Sequence, residues 1–188
     1  MPINIAIFAS GSGSNAQNII QYFEQSNHFI FPLIVTNKAD AYVHQRAKAL
    51  NIKSVNFSKD EFASGENLLK LLSEYGIDAI VLAGFLLKVP ESLIKAYPER
   101  IINIHPALLP KFGGKGMYGD NVHRAVRDSG DTESGITIHY VNQNYDEGNI
   151  IFQAKCPVVP TDSYEDIAQK VHELEYAHFP KVIEQLWK

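Results

Sequence analysis

A single cysteine, Cys156, stands in a chain of 188 residues, so an internal disulfide is excluded and a disulfide-stapled scaffold with it. Set between Lys155 and Pro157, that thiol has no neighbouring base to activate it and reads as structural. Charge of one sign is equally scarce. The 17 basic and 21 acidic residues leave a net charge of −4 and form no long run of either sign, which argues against a broad basic face for nucleic acid or an anionic membrane. Long apolar runs are missing too: the longest, Ile77 to Leu87, already contains Asp78, too short and too polar to span a bilayer. The start, Met1-Pro2-Ile3-Asn4, shows no basic region or cleavage pattern. His28, His44, His123, His139, His172 and His178 fall at no metal-ligand spacing. These absences leave a cytoplasmic protein with small-molecule partners, no nucleic acid, no membrane and no metal as the expectation.

What is present is alternation. Ile3 to Ala9 is an apolar, β-branched run, Ser10-Gly11-Ser12-Gly13-Ser14-Asn15 breaks it, and Ala16 to Glu24 carries helical spacing through Ile19, Ile20 and Phe23. The same reading predicts strands over 29–36, 53–56, 78–84 and 100–105, separated by helices over 41–50, 61–75 and 91–97, the second of these with Leu68, Leu69, Leu71 and Leu72 inward. Strand and helix in regular alternation imply a parallel, doubly wound sheet. After Pro110 the rhythm changes. Lys111 to Gly119 holds four glycines and reads as a mobile loop before a helix over 120–128. Residues 136–142 and 149–157 are joined closely enough for a hairpin, which adds an antiparallel edge. Asp162 and Glu165 make a capping-box pattern opening a last helix to Trp187, with a kink expected at Pro180. With 45% hydrophobic residues, the expectation is one α/β domain over residues 1–188, its sheet mostly parallel.

The chemistry gathers at strand ends. In Ile101-Ile102-Asn103-Ile104-His105-Pro106-Ala107-Leu108-Leu109-Pro110 the period of two sends Asn103 and His105 to one side and Ile102 and Ile104 to the other. An amide can donate to a developing oxyanion and an imidazole can move a proton near neutral pH. Asp146, in the hairpin turn, would complete an amide, imidazole and carboxylate set. Gly11-x-Gly13 before a helix suits an anion such as a phosphate. It fits a dinucleotide fingerprint only loosely, since Thr36-Asn37-Lys38 stands where an acid is expected, and no Gly-Lys-Ser/Thr follows. Ala83 to Pro90 could wall a flat aromatic ligand, and core packing explains the same residues. His139 shares a strand face with Thr137 and is expected to be buried and hydrogen-bonded. The plainer alternative stays open at each place: polar residues satisfied at a strand end, an acid solvated in a turn, a tight turn that binds nothing.

Four segments in order, Ser10-Gly11-Ser12-Gly13-Ser14-Asn15, Val81-Leu82-Ala83-Gly84-Phe85, Asn103-Ile104-His105-Pro106-Ala107-Leu108-Leu109-Pro110 and Asp146-Glu147-Gly148, make nearly the whole chain resemble the phosphoribosylglycinamide formyltransferases. These folate-dependent enzymes of purine synthesis move a formyl group from 10-formyltetrahydrofolate to glycinamide ribonucleotide. The resemblance implies that Asn103, His105 and Asp146 are catalytic, that Gly13, Ser14 and Asn15 hold the substrate phosphate, and that Glu175 meets glycinamide ribonucleotide. It further implies that Leu86, Leu87, Lys88, Val89 and Asn103 border the reduced folate. Two departures fall on the folate side: Leu87 and Lys88 stand where many members carry an arginine, and an arginine near the third helix is absent, leaving Lys59 as the nearest cation. Asp146 beside His105 is expected to raise the imidazole pKa above its usual value of about 6.5. The rivals are a related formyltransferase or formyltetrahydrofolate hydrolase with another acceptor, and a non-catalytic phosphate-binding module. The latter would leave Asn103, His105 and Asp146 far apart.

Overall fold

A computed structural model describes residues 2–188. It contains β1 (Ile3–Phe8), α1 (Ser14–Tyr22), β2 (Phe29–Thr36), α2 (Val43–Ala49), β3 (Lys53–Asn56), α3 (Lys59–Ser64), α4 (Glu66–Glu74), β4 (Ala79–Leu82), α5 (Glu91–Ala96), β5 (Ile101–His105), α6 (Asp120–Ser129), β6 (Glu133–Tyr140), β7 (Ile150–Pro157) and α7 (Tyr164–Trp187). The strands form a seven-stranded sheet in the order β3-β2-β1-β4-β5-β6-β7. β1 pairs in parallel with β2 and β4, and β2 with β3, while β6 and β7 pair antiparallel. The doubly wound reading with an antiparallel edge therefore holds.

The chain falls into two compact units, one running to Ile102 and taking in Trp187–Lys188, the other spanning Asn103–Leu186. In the first, every residue of β4 and Ile5 to Phe8 of β1 are buried, as expected of central parallel strands covered on both faces. Phe8 meets Phe62 of α3 and Phe85 edge-on, at 6.1 and 5.4 Å between ring centroids. In the second, Val122, Val126, Ile136, Ile138, Ile167, Val171 and Phe179 are buried. Cys156 is buried as well, and burial pushes its thiol pKa up, in keeping with a structural role.

Three differences from the sequence reading have local causes. The helix expected over 61–75 is two helices, because Ser58 and Glu61 form a capping box that starts α3 at Lys59 and Gly65 then takes φ +73°, a left-handed conformation that ends it. In α4, Leu68 and Leu72 are buried while Leu69 and Leu71 are only half-buried. The box that opens α7 is Ser163 with Asp166, one residue later than expected: the Ser163 hydroxyl accepts from the Asp166 N–H and the Asp166 carboxylate accepts from the Ser163 N–H. Asp162 instead accepts from the Val159 N–H and from Lys170 at 2.6 Å. β6 begins at Glu133 because it pairs residue by residue with β7, Glu133 opposite Pro157. Pro180 lies inside α7, which continues past it.

Candidate active site

The end of β5 is held from β6 and β7. Thr137 Oγ1 donates to the Ala107 carbonyl at 2.7 Å and accepts from the Leu109 N–H at 3.0 Å. Gln153 Nε2 donates both to Thr137 Oγ1 and to the Leu109 carbonyl. A segment without regular structure thus has its buried backbone groups satisfied, as burial requires, and the side chains of Asn103 and His105 are delivered to a fixed place.

Asp146 is the hub. Its Oδ2 lies 3.5 Å from His105 Nδ1 and accepts from the Gly114 N–H at 3.0 Å, while its Oδ1 lies 3.6 Å from His139 Nε2. The backbone of Asp146 is left-handed, φ +55°, a conformation that Asp and Asn tolerate better than other side chains. His139 Nδ1 contacts the Tyr140 carbonyl at 2.9 Å, and since a carbonyl only accepts, that nitrogen carries the proton. Nε2 is then the acceptor for Asn103 Nδ2 at 3.1 Å. One hydrogen of the Asn103 amide is committed to His139, which orients the other. The three residues that a phosphate-binding module would leave apart are brought together, with His139 as the link.

His105 is buried, and its Nε2 donates to the Phe112 carbonyl at 2.7 Å. With Nε2 protonated, only the imidazolium can also donate from Nδ1 towards Asp146. Burial nevertheless prevails: it lowers the His105 pKa below the usual value, against the opposing pull of Asp146 and of the Phe112 carbonyl. The raised pKa expected from the sequence is corrected accordingly, since desolvation of a buried ring outweighs a carboxylate at 3.5 Å. Burial also acts to raise the Asp146 pKa, but the two imidazoles beside the carboxylate and the Gly114 N–H together overcome it and keep the acid low. The loop expected to be mobile is tied at two points, Phe112 and Gly114, to these same two residues.

Glu175 is buried on α7 and takes a hydrogen bond from His172 Nδ1 at 2.8 Å. That bond raises the His172 pKa, against burial. His123, on α6, is buried with no hydrogen-bond partner for Nδ1 among the described residues, and burial, then the charge of His172, lowers its pKa. His139 is buried and hydrogen-bonded, as its strand face with Thr137 led one to expect, whereas grouping the remaining histidines only by metal spacing passed over His123 and His172. For His172 the signal was there, since it and Glu175 stand three apart on a helix. Among the described residues no group of three or more His, Cys, Asp or Glu is arranged to hold a metal.

In the first unit, α1 starts at Ser14 with Gly13 as its N-cap and no side-chain cap bond. Its first-turn N–H groups lack intrahelical partners. Gly13 has φ +73°, and a Cβ there would overlap the Val43 side chain, so any side chain at 13 strains the backbone and the packing of α2 before it reaches a ligand. Ser14 is half-buried and Asn15 buried. In the segment after β4, Leu86 and Lys88 are exposed, Leu87 half-buried and Val89 buried. The Leu86 N–H is bonded to Ser10 Oγ at 2.9 Å. Lys59 is exposed on the first turn of α3.

Residues 3–183 match the sequence model described as formyl transferase. A relative named phosphoribosylglycinamide formyltransferase, chloroplastic, from Arabidopsis thaliana is 40% identical over 95% of the chain, and one from Haemophilus influenzae, named without the compartment, is 36% identical. The chain spans 63% of the Arabidopsis relative and 84% of the Haemophilus one. Among solved structures, glycinamide ribonucleotide transformylase 1 from Geobacillus kaustophilus superposes with a TM-score of 0.91 at 32% identity, each chain covered in full. Phosphoribosylglycinamide formyltransferase from Streptococcus pneumoniae gives 0.87 at 37%, again with full coverage of both chains.

Proposed function

Because the chain belongs to the formyl transferase family, we propose that it moves the formyl group of 10-formyltetrahydrofolate to the amine of glycinamide ribonucleotide. The observation that carries this reading is the linked set Asn103, His139, Asp146 and His105, each within 3.6 Å of the next. When the amine attacks the formyl carbon, charge gathers on the formyl oxygen. The Asn103 amide, oriented by His139, has an N–H to give to that oxyanion. His105 accepts the proton that the amine sheds and returns one to the departing folate nitrogen. Its lowered pKa makes the neutral, accepting ring abundant near pH 7, and Asp146 stabilises the imidazolium that then forms.

Gly13, Ser14 and Asn15 are assigned to the phosphate, a reading supported by the uncapped start of α1. Glu175 is assigned to glycinamide ribonucleotide, and Leu86, Leu87, Lys88 and Val89 to the folate, with Lys59 the basic residue nearest where the family carries an arginine. A cytoplasmic setting belongs to the same proposal, and the unpaired Cys156 suits a reducing compartment. Incubating the protein with both substrates and following folate absorbance and formylated product tests the reading. Turnover dependent on both is expected. Folate deformylation that proceeds equally without the amine would favour a hydrolase instead.

A further inference from the structure

The peptide unit is planar and trans, so the carbonyl of one residue and the N–H of the next point in opposite directions. Two consecutive carbonyls of the glycine loop are turned towards α2. That of Gly11 accepts from the Val43 N–H at 3.1 Å, and that of Ser12 accepts from Arg46 Nε at 2.8 Å. The N–H groups of Ser12 and Gly13 must therefore point away from α2. They precede the first-turn N–H groups of α1, ahead of the Gln17 N–H that makes the first intrahelical bond, to Gly13 O. Arg46 is itself fixed: Nη1 bonds the Gln17 side chain on α1, and its guanidinium lies over the Tyr42 ring, 5.1 Å from the centroid.

We infer that Arg46 is a positioning residue for the phosphate, holding the Ser12–Gly13 peptide so that its N–H and not its carbonyl faces the anion. This rests on the assignment of the loop to the substrate phosphate. Val43 restrains only the preceding peptide, and Gly13 can take either sign of φ at little cost. Without Arg46 the Ser12–Gly13 unit is free to flip and present a carbonyl dipole to a group of about two negative charges. A lysine keeps the positive charge but loses the rigid fork that joins Ser12 to Gln17. Charge and positioning can therefore be told apart.

The test compares kcat/KM for glycinamide ribonucleotide with that for glycinamide riboside, which lacks the phosphate, in wild type, Arg46→Met and Arg46→Lys. A general structural defect lowers both substrates together and leaves their ratio unmoved. The loss of one donor aimed at a charged group is expected to cut the ratio about tenfold in Arg46→Met, with Arg46→Lys closer to it than to wild type. A wild-type ratio in both variants overturns the inference, and a wild-type ratio in Arg46→Lys alone does so too, by showing that charge suffices. If Arg46→Met does not fold, Arg46→Lys decides by the same ratio. A wild-type enzyme that barely distinguishes the two substrates removes the phosphate assignment, and the inference with it.

Discussion

The glycine loop and the cluster around Asp146 both place partial charges, yet they are built from different materials. The loop works through its backbone, steadied by Val43 and Arg46 of α2. The cluster pools side chains from β5, β6 and the hairpin turn, and adds the Phe112 carbonyl and Gly114 N–H from the preceding loop. A backbone site depends on conformation and is indifferent to most side-chain chemistry; a side-chain site depends on a few functional groups and on the long-range contacts that bring them together. Substitutions should therefore fail in different ways: at the loop through strain and ground-state binding, at the cluster through the rate of the chemical step.

The largest effect should come from Asn103→Ala. It removes the amide that can meet the oxyanion, and kcat is expected to fall by about 10²–10³ with KM for either substrate little changed. A raised KM at normal kcat would move Asn103 from the transition state to the ground state and blur the contrast. Next comes Asp146→Asn, which keeps the shape and removes the charge. Loss of the opposing carboxylate lets burial lower the His105 pKa further, so the limb of the pH–rate profile due to His105 should shift to lower pH, and kcat near pH 7 should drop by roughly 10². An unmoved profile at normal rate would make the acid a mere turn residue.

Gly13→Ala probes the other side. A Cβ there meets Val43 in a left-handed backbone, so about 1–3 kcal/mol of stability should be lost, with weaker affinity for the ribonucleotide and unaltered affinity for folate when each is titrated alone. Equal loss of both ligands would mean that the damage spreads beyond the loop. The smallest effect concerns His123, in neither set. His105 and His123 both have lowered pKa values in the folded chain, so below about pH 6.5 the unfolded chain binds protons that the folded one does not, and stability falls as pH falls, by at most about 1.4 kcal/mol per pH unit for each. His172, with its raised pKa, opposes them and stabilises most at low pH. His123→Phe should flatten the urea-measured loss between pH 7 and 5; an unchanged slope would assign it wholly to His105.

The same contrast governs what could be read from the chain before folding. Strand and helix follow from local periodicity, and the glycine loop, being local, was legible as the turn between β1 and α1. Asn103 and His105 could be paired because two positions on a strand fix their side, and Asp146 could be set beside them as the acid of the hairpin turn, while its catalytic role came from the family resemblance. His139 was placed on the correct face, but its bond to Asn103 depends on how β6 meets β5, which no local pattern encodes. The lowered pKa of His105 was hidden for a like reason: a neighbouring carboxylate can be guessed from sequence, whereas burial is a sum over the whole fold. Gly65 shows the opposite case, a local signal inside an apolar pattern that was outvoted by the leucines around it.

The left-handed backbone at Asp146 makes that position answer to two selections at once. In a saturation library scored for protein abundance, Asn and Gly should persist beside Asp, since all three enter that region of backbone space readily, while β-branched residues should be depleted. Scored for growth that depends on the reaction, the same library should retain Asp alone. The residues that survive the first screen and perish in the second measure how far the choice of amino acid at 146 is made by geometry and how far by chemistry.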